Sequence, residues 1–344
     1  VFDGINDPEN DEIKYYYPTS DLVTAPEIIF FWVARMIVAG YEYRAEMPFK
    51  NVYFTGIVRD KQRRKMSKSL GNSPDPIELM KKYGADGVRA GMLFSAPAGN
   101  DLLFDEKLCE QGRNFSNKLW NAFRLIQTLE ISDKGEDQSL AINWINSRFN
   151  EVLEEIEDHF SKYRISDALL SLYTFIWDDF CSWYLEIIKD NSISVKTYEG
   201  TIAVMDKILK TLHPFMPFIT EELWNQINKE RDYIMISDYP TPKKFDTNLN
   251  KDFNKIFNII TGLRKLKSDN KIKQIDVVKV MVNKKSDFDF SKYKNLIEKL
   301  SKTKNLETVK EIPINYPTLI SGKDTLSLAI EKSEDSKDDT LKQI

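Results

Sequence analysis

From Asp105 onward, for about 150 residues, apolar side chains recur at helical spacing, and this pattern limits the possible folds more than any other feature. Leu108, Phe115, Leu119, Phe123 and Ile126 step by one or two helical turns. Ile142, Ile145, Phe149, Val152, Ile156 and Phe160 do the same, as do Ile165, Leu169, Leu172, Ile176, Phe180 and Ile187. Ile202, Met205, Leu209 and Leu212 mark a fourth helix, stopped at His213-Pro214. Thr220 reads as the next N-cap, with Glu221 and Glu222 placed to favour the helix dipole. Such stripes leave water by packing on one another, so a helix bundle is expected.

The flanks read differently. Lys14 to Pro18 is expected to be extended, and so are Asp21 to Thr24. The apolar run Ile28 to Val38, with Pro26 near its first turn, has the length of a buried helix. Asn51 to Val58 is β-branched and aromatic and reads as a buried strand. Strand, helix and strand leading into a glycine-bearing loop is α/β logic. Ile77 to Tyr83 reads as a short helix closed by Gly84, with a further short element from Asp86 to Phe94. After the bundle, Asp252 to Lys267 is amphipathic: Ile256, Ile259, Ile260, Leu263 and Leu266 face a core, while Lys255, Arg264, Lys265 and Lys267 face out. A strand at Val277 to Val282, a helix at Tyr293 to Leu300 and a strand at Asp324 to Ile330 make a small α/β cap, before a charged, frayed tail from Glu331 to Ile344.

The chemistry concentrates in Lys65-Met66-Ser67-Lys68-Ser69, followed by Leu70-Gly71-Asn72. Two ammonium groups and two hydroxyls on one loop suit a triphosphate, whose charge moves between oxygens during reaction. A lysine–serine composition equally suits a solvated basic turn; the specific order and the Gly-Asn exit separate the two. The net charge of −4 excludes a uniformly basic nucleic-acid coat. Charge is nonetheless uneven, with sixteen Lys/Arg against seven Asp/Glu from Lys251 to Lys310, and six against one from Arg59 to Lys68. These zones are either polyanion contacts or solvated faces. Cys109 and Cys181 sit in helical patterns, which points to a reducing compartment without disulfides. Two histidines, His159 and His213, are too few for a His-ligated zinc site. No segment has the apolar length of a membrane span.

Three stretches carry a family resemblance: IIFFWVARMI at Ile28 to Ile37, VRDKQRRKMSKSLGN at Val58 to Asn72, and LHPFMPFITEELW at Leu212 to Trp224. With DDFCSWYLEIIK at Asp178 to Lys189 they resemble the C-terminal half of a class I aminoacyl-tRNA synthetase. The Phe-Phe-Trp-Val-Ala-Arg-Met run favours the valine enzymes over those for isoleucine or leucine. The resemblance implies a multidomain, mostly helical chain. The second half of a Rossmann-type catalytic fold would span 1–78, a stem-contact region 79–135, a helical anticodon-binding bundle 136–250, a basic helix with a small α/β subdomain 251–335, and a truncated tail 336–344. It implies a soluble cytoplasmic monomer whose partners are ATP with Mg2+, valine and tRNA(Val), with no resident metal. The His-x-Gly-His element of the class is absent here, so the chain alone is expected not to form valyl-adenylate. The alternatives are an isoleucine ligase fragment and a non-catalytic tRNA-binding protein.

By the same resemblance, Lys65 and Lys68 are the catalytic residues and neutralise the β- and γ-phosphates. Met66, Ser67 and Ser69 complete the ATP contacts, and Gly71 and Asn72 shape the exit. Where the family carries Gly-x-Asp before the apolar run, this chain has Ala25-Pro26-Glu27. Glu27 keeps a carboxylate for the ribose hydroxyls, while Ala25 gives up the freedom to take positive φ. Gly56 lets the adenine approach or simply serves a turn. Trp32, with Ile28, walls the amino-acid pocket or belongs to a core. Trp120, Trp177, Trp183 and Trp224 fall on apolar stripes and are expected inside the bundle, and His213 as a structural cap. Arg264, Lys265 and Lys267 are the candidates for tRNA backbone contact.

Overall fold

The computed structural model describes residues 7, 9–96, 101–189, 192–227, 232–274 and 276–330. They divide into two compact units that do not follow chain order: residues 1–128, 151–179 and 202–242 form one, and 129–150, 180–201 and 243–344 the other. The stretch expected as a single bundle therefore contributes to both. A helix of 23 residues such as Ser139–Ser161 is about 34 Å long, enough for its two ends to serve different cores.

In the first unit, Thr19–Thr24 and Phe49–Phe54 pair as parallel strands, Thr19 opposite Phe49 and Thr24 opposite Phe54. The connection between them is helical throughout. A 3-10 turn at Pro26–Ile28 passes into a π-helical turn at Ile29–Val33 and then the α-helix Ala34–Arg44. Pro26 suits the first position, where its missing N–H costs nothing. This connection and the second strand depart from the sequence expectation of burial. Phe30 is 85% exposed, Phe31 62% and Val38 68%, and of the strand only Phe49 is buried. Periodicity gives the face of a helix; burial needs an element to cover that face, and none of the described residues does. Lys14 to Tyr16, expected to be extended, belong to the helix Asp11–Tyr16, because Asn10 caps it by accepting from Glu12 N and Ile13 N.

Beyond the lysine loop, Asp75 caps the helix Pro76–Tyr83, which ends at Gly84 with φ 76°. The helix Ala85–Phe94 then lies against Glu106–Gln127 at glycine contacts. A Cβ at Gly91 would stand 2.6 Å from Cys109 N, so only glycine allows this approach. Asp86 takes up two open N–H groups at the start of the helix Pro217–Ile227, from Phe218 (3.3 Å) and Ile219 (2.6 Å). Arg89 donates to the carbonyls of Pro214 and Phe215. Thr220 is not the N-cap of that helix. It lies inside it, fully buried, with its hydroxyl on Met216 O and on His213 Nδ1 at 2.8 Å. Pro217 starts the helix three residues earlier, which places Thr220 within its first turn. Trp224 is buried and donates Nε1–H to Asp206. Trp120 is 37% exposed and is no core residue.

In the second unit, the helix Thr247–Asp269, capped by Asp246, packs against a four-stranded sheet. The strand order is Thr303–Thr308, Val278–Asn283, Asp324–Leu328, Thr318–Ser321, the first pair parallel and the other two antiparallel. The helix Lys294–Ser301 leads into the edge strand. Trp144 stacks on Phe253 at 4.6 Å and Trp183 on Phe257 at 4.1 Å, which anchors the long helix by its aromatic stripe. Cys109 and Cys181 are both buried and not joined in a disulfide. The expected tail falls outside the described residues. No helix among the described residues is long and apolar enough to cross a membrane.

Candidate functional site

The lysine loop is a tight hairpin. Val58–Arg59 pairs in parallel with Leu102–Leu103, and Met66 N bonds Val58 O at 3.1 Å while Asp60 N bonds Arg64 O at 2.9 Å. Ser67 then caps a 3-10 turn at Lys68–Leu70, its hydroxyl accepting from Leu70 N at 3.3 Å and lying 3.1 Å from Ser69 Oγ. Gly71 leaves the turn at φ 64°, a conformation that favours glycine. The hydroxyls of Ser67 and Ser69 therefore shape the loop. Lys68 is exposed.

Below the lysines the loop is tied at its neck. Asp60 Oδ1 accepts from Gln62 N and Arg64 N, and Oδ2 from Arg64 Nε (2.8 Å) and Asn72 Nδ2 (2.9 Å). Asn72 in turn accepts from Ser67 N at 2.9 Å and donates to Lys65 O at 3.3 Å. The Asn72 hydrogen bond, reinforced by Arg64 and opposed by burial, holds the Asp60 carboxyl down at about 2. Sequence reading noticed Asn72 and passed over Asp60; the aspartate inside a basic run was the available signal.

Lys65 Nζ reaches Glu27 Oε1 at 2.6 Å, which brings two sequence-selected residues together across 38 positions of chain. A largely apolar cavity of about 480 Å³ opens beside the loop, lined by Ile57, Val58, Lys65, Met66 and Phe104 among others. Gly56 immediately precedes these residues and is half-buried. Ile28 is half-buried and Trp32 is 54% exposed, so the core alternative for Trp32 does not hold.

The three basic candidates of the long helix separate. Lys267, expected to face out, is fully buried, and its ammonium donates to the carbonyls of Gln274 (3.3 Å), Asp276 (2.7 Å) and Lys302 (2.7 Å). Burial pushes its pKa down. Its one-turn offset from Leu263 places it on the apolar stripe, where only local carbonyls make a charge tolerable. Arg264 spends Nε and Nη2 on Leu300 O, near the end of the helix Lys294–Ser301, with its guanidinium 5.8 Å from the centre of the Trp183 ring. Lys265 is exposed. No group of three or more His, Cys, Asp or Glu among the described residues could hold a metal ion.

Two family models match. One, described as tRNA synthetases class I (I, L, M and V), covers residues 3–105 and thus the parallel strands and the lysine loop. The other, the anticodon-binding domain of tRNA ligase, covers residues 143–282. The fold likewise resembles Agrobacterium radiobacter LeuRS in its ternary complex with tRNA and LeuAMS, with a TM-score of 0.51 over 68% of this chain and 29% of that one, at 19% identity. The chain belongs to the class I tRNA synthetases. Within that class it matches valine–tRNA ligases: 55% identity over 326 residues with that of Christiangramia forsetii, covering 90% of this chain and 36% of the relative. The Phocaeicola vulgatus valine–tRNA ligase is 55% identical over 289 residues, covering 82% and 33%. The chain thus spans about a third of the length of these relatives, less than the half expected from its motifs.

Proposed function

We propose that this chain is the portion of a valine–tRNA ligase that supplies the lysine loop and tRNA-binding helices. The enzyme's reaction is ATP-dependent formation of valyl-adenylate and transfer of valine to tRNA(Val). The observation that carries the reading is the loop itself: Lys65 and Lys68 stand on a hairpin tied at its neck, beside an apolar cavity.

The protein does little covalent chemistry in such a reaction. Attack of the valine carboxylate on the α-phosphorus forms the acyl–phosphate bond and releases pyrophosphate, so negative charge builds on the β- and γ-oxygens. Lys65 and Lys68 meet that charge. Lys65 exchanges Glu27 for phosphate at small cost, because both side chains are about half exposed and such pairs are worth roughly 0–1 kcal/mol. Glu27, released, accepts from the ribose hydroxyls. Met66 and Gly56 border the nucleotide, and Ser67 and Ser69 hold the turn. Mg2+ enters with ATP as part of the substrate. Trp32, with Ile28, bounds the valine side chain.

Residues 1–78 correspond to a Rossmann-type half-site, 79–135 to a stem-contact region, 136–250 to the anticodon-binding bundle and 251–335 to a basic cap subdomain. Lys265 is the strongest backbone contact of the three basic candidates, since Lys267 is buried and Arg264, though exposed, places Nε and Nη2 on Leu300 O. The valine reading over isoleucine is supported by the apolar run at Ile28 to Ile37 and by the named relatives.

The test is valine-dependent ATP–pyrophosphate exchange by the full-length ligase carrying this sequence. Wild-type exchange with valine, a small fraction of that rate with isoleucine, and near-complete loss in Lys68→Ala are expected. Exchange that survives Lys68→Ala unchanged removes the loop from the site.

A further inference from the structure

Asp60 is a carboxylate in the neck of a loop that, on the reading above, receives a polyanion. By charge alone it opposes that ligand. Its surroundings show what it does instead. It is buried, at 7% exposure, and gathers four donors from three residues: Gln62 N at 3.0 Å, Arg64 N at 2.9 Å, Arg64 Nε at 2.8 Å and Asn72 Nδ2 at 2.9 Å. Asn72 then carries the connection upward. Its Nδ2 also bonds Lys65 O, and its Oδ1 accepts from Ser67 N. The backbone on both sides of Met66 thus hangs from one carboxamide, and that carboxamide hangs from Asp60.

We propose that Asp60, acting through Asn72, is a positioning residue that fixes where Lys65 and Lys68 stand. This rests on the loop being the triphosphate site. The hairpin bonds from Asp60 N to Arg64 O and from Met66 N to Val58 O hold the stem, and Asn72 joins the Lys65 and Ser67 backbones across Met66. A lysine that must follow moving charge gains from a fixed base, since a misplacement of about 1 Å can cost on the order of a hundredfold in rate. The four donors, one of them the cationic guanidinium of Arg64, disperse the carboxylate's charge and reduce its repulsion of the phosphates. Only an acceptor with two oxygens meets two donors at each side. Asparagine there would turn one acceptor into a donor facing Arg64 Nε and Asn72 Nδ2.

The experiment is steady-state pyrophosphate exchange by the full-length ligase in Asp60→Asn, Asn72→Ala, and the exchanged pair Asp60→Asn with Asn72→Asp. Lys68→Ala runs beside them. Hydrogen exchange of the Glu106–Gln127 amides reports on folding. Asp60→Asn is expected to lower kcat about a hundredfold with KM for ATP changed less than about threefold. Asn72→Ala follows it, and the exchanged pair stays as low as either single variant, because it restores a donor and an acceptor between positions 60 and 72 but sets a carboxylate oxygen against Lys65 O. The helix amides stay as protected as in the wild type. Loss of kcat only in step with faster exchange through Glu106–Gln127 makes Asp60 a folding residue and overturns the proposal. A normal kcat in Asp60→Asn while Lys68→Ala is inactive overturns the positioning role alone. An active Lys68→Ala overturns the reading of the loop and the proposal with it.

Discussion

Lys65 Nζ and Glu27 Oε1 meet at 2.6 Å, joining the lysine loop to the turn between the paired strands. On the proposed reading, each partner holds the charge that it exchanges for ATP. An ion pair of this kind is a latch, weak in water and easily displaced by a ligand with more charge.

Glu27→Ala therefore separates stability from binding. Thermal unfolding should move by less than the equivalent of about 1 kcal/mol, since the pair is about half exposed. The full-length ligase should need severalfold more ATP for half-maximal exchange. An unchanged ATP requirement would take Glu27 out of the site.

Gly91→Ala should be costly without touching any candidate residue. The new Cβ would sit 2.6 Å from Cys109 N, against backbone that cannot yield as a side chain can. The helices Ala85–Phe94 and Glu106–Gln127 must part, for about 1–3 kcal/mol of lost stability measured by urea unfolding.

Lys265 and Lys267 should behave oppositely. Lys267→Met takes the buried ammonium away from the carbonyls of Gln274, Asp276 and Lys302 and should destabilise by about 1–3 kcal/mol. Lys265→Ala should fold normally and weaken tRNA binding evenly across sequences, lowering the salt dependence of log Kd by about one ion. Equal binding by Lys265→Ala at low salt would remove it from the RNA face.

Asp324 gives the second unit an acid-sensitive element. Burial alone would raise its pKa, but Lys255 Nζ at 2.6 Å, the Ser286 hydroxyl, and the N–H groups of Lys285 and Ser286 outweigh it and hold it below the usual carboxylate range. A depressed folded pKa adds stability that is full above the unfolded value near about 4 and is lost as pH falls through the folded one. Unfolding midpoints should therefore drop below about pH 4 in the wild type. Asp324→Asn should be less stable at neutral pH and lose less on acidification. Parallel curves for the two proteins would disprove the assignment.

The helical periods and the lysine loop were legible in the sequence because each is a local matter, whereas some helix starts were not: the long helix begins at Thr247, five residues before Asp252. Asp75, Asp105 and Asp246 cap their helices with their own side chains, and Gly71 and Gly84 take backbone that favours glycine. The strands Thr303–Thr308 and Thr318–Ser321 were passed over, as was Ile131–Glu136, because short polar strands are defined by partners distant in the chain. At the site, residue types chose Lys65, Lys68 and Glu27, but only the fold joins Lys65 to Glu27 and sets Asp60 as the knot beneath them.

The sequence by itself determined which faces are apolar, and that one loop concentrates ammonium and hydroxyl groups. Tertiary structure alone decided which of those faces are covered. The same helical spacing buries Lys267 and leaves Phe30 in solvent, because burial is a property of neighbours brought from elsewhere in the chain, and period records only direction.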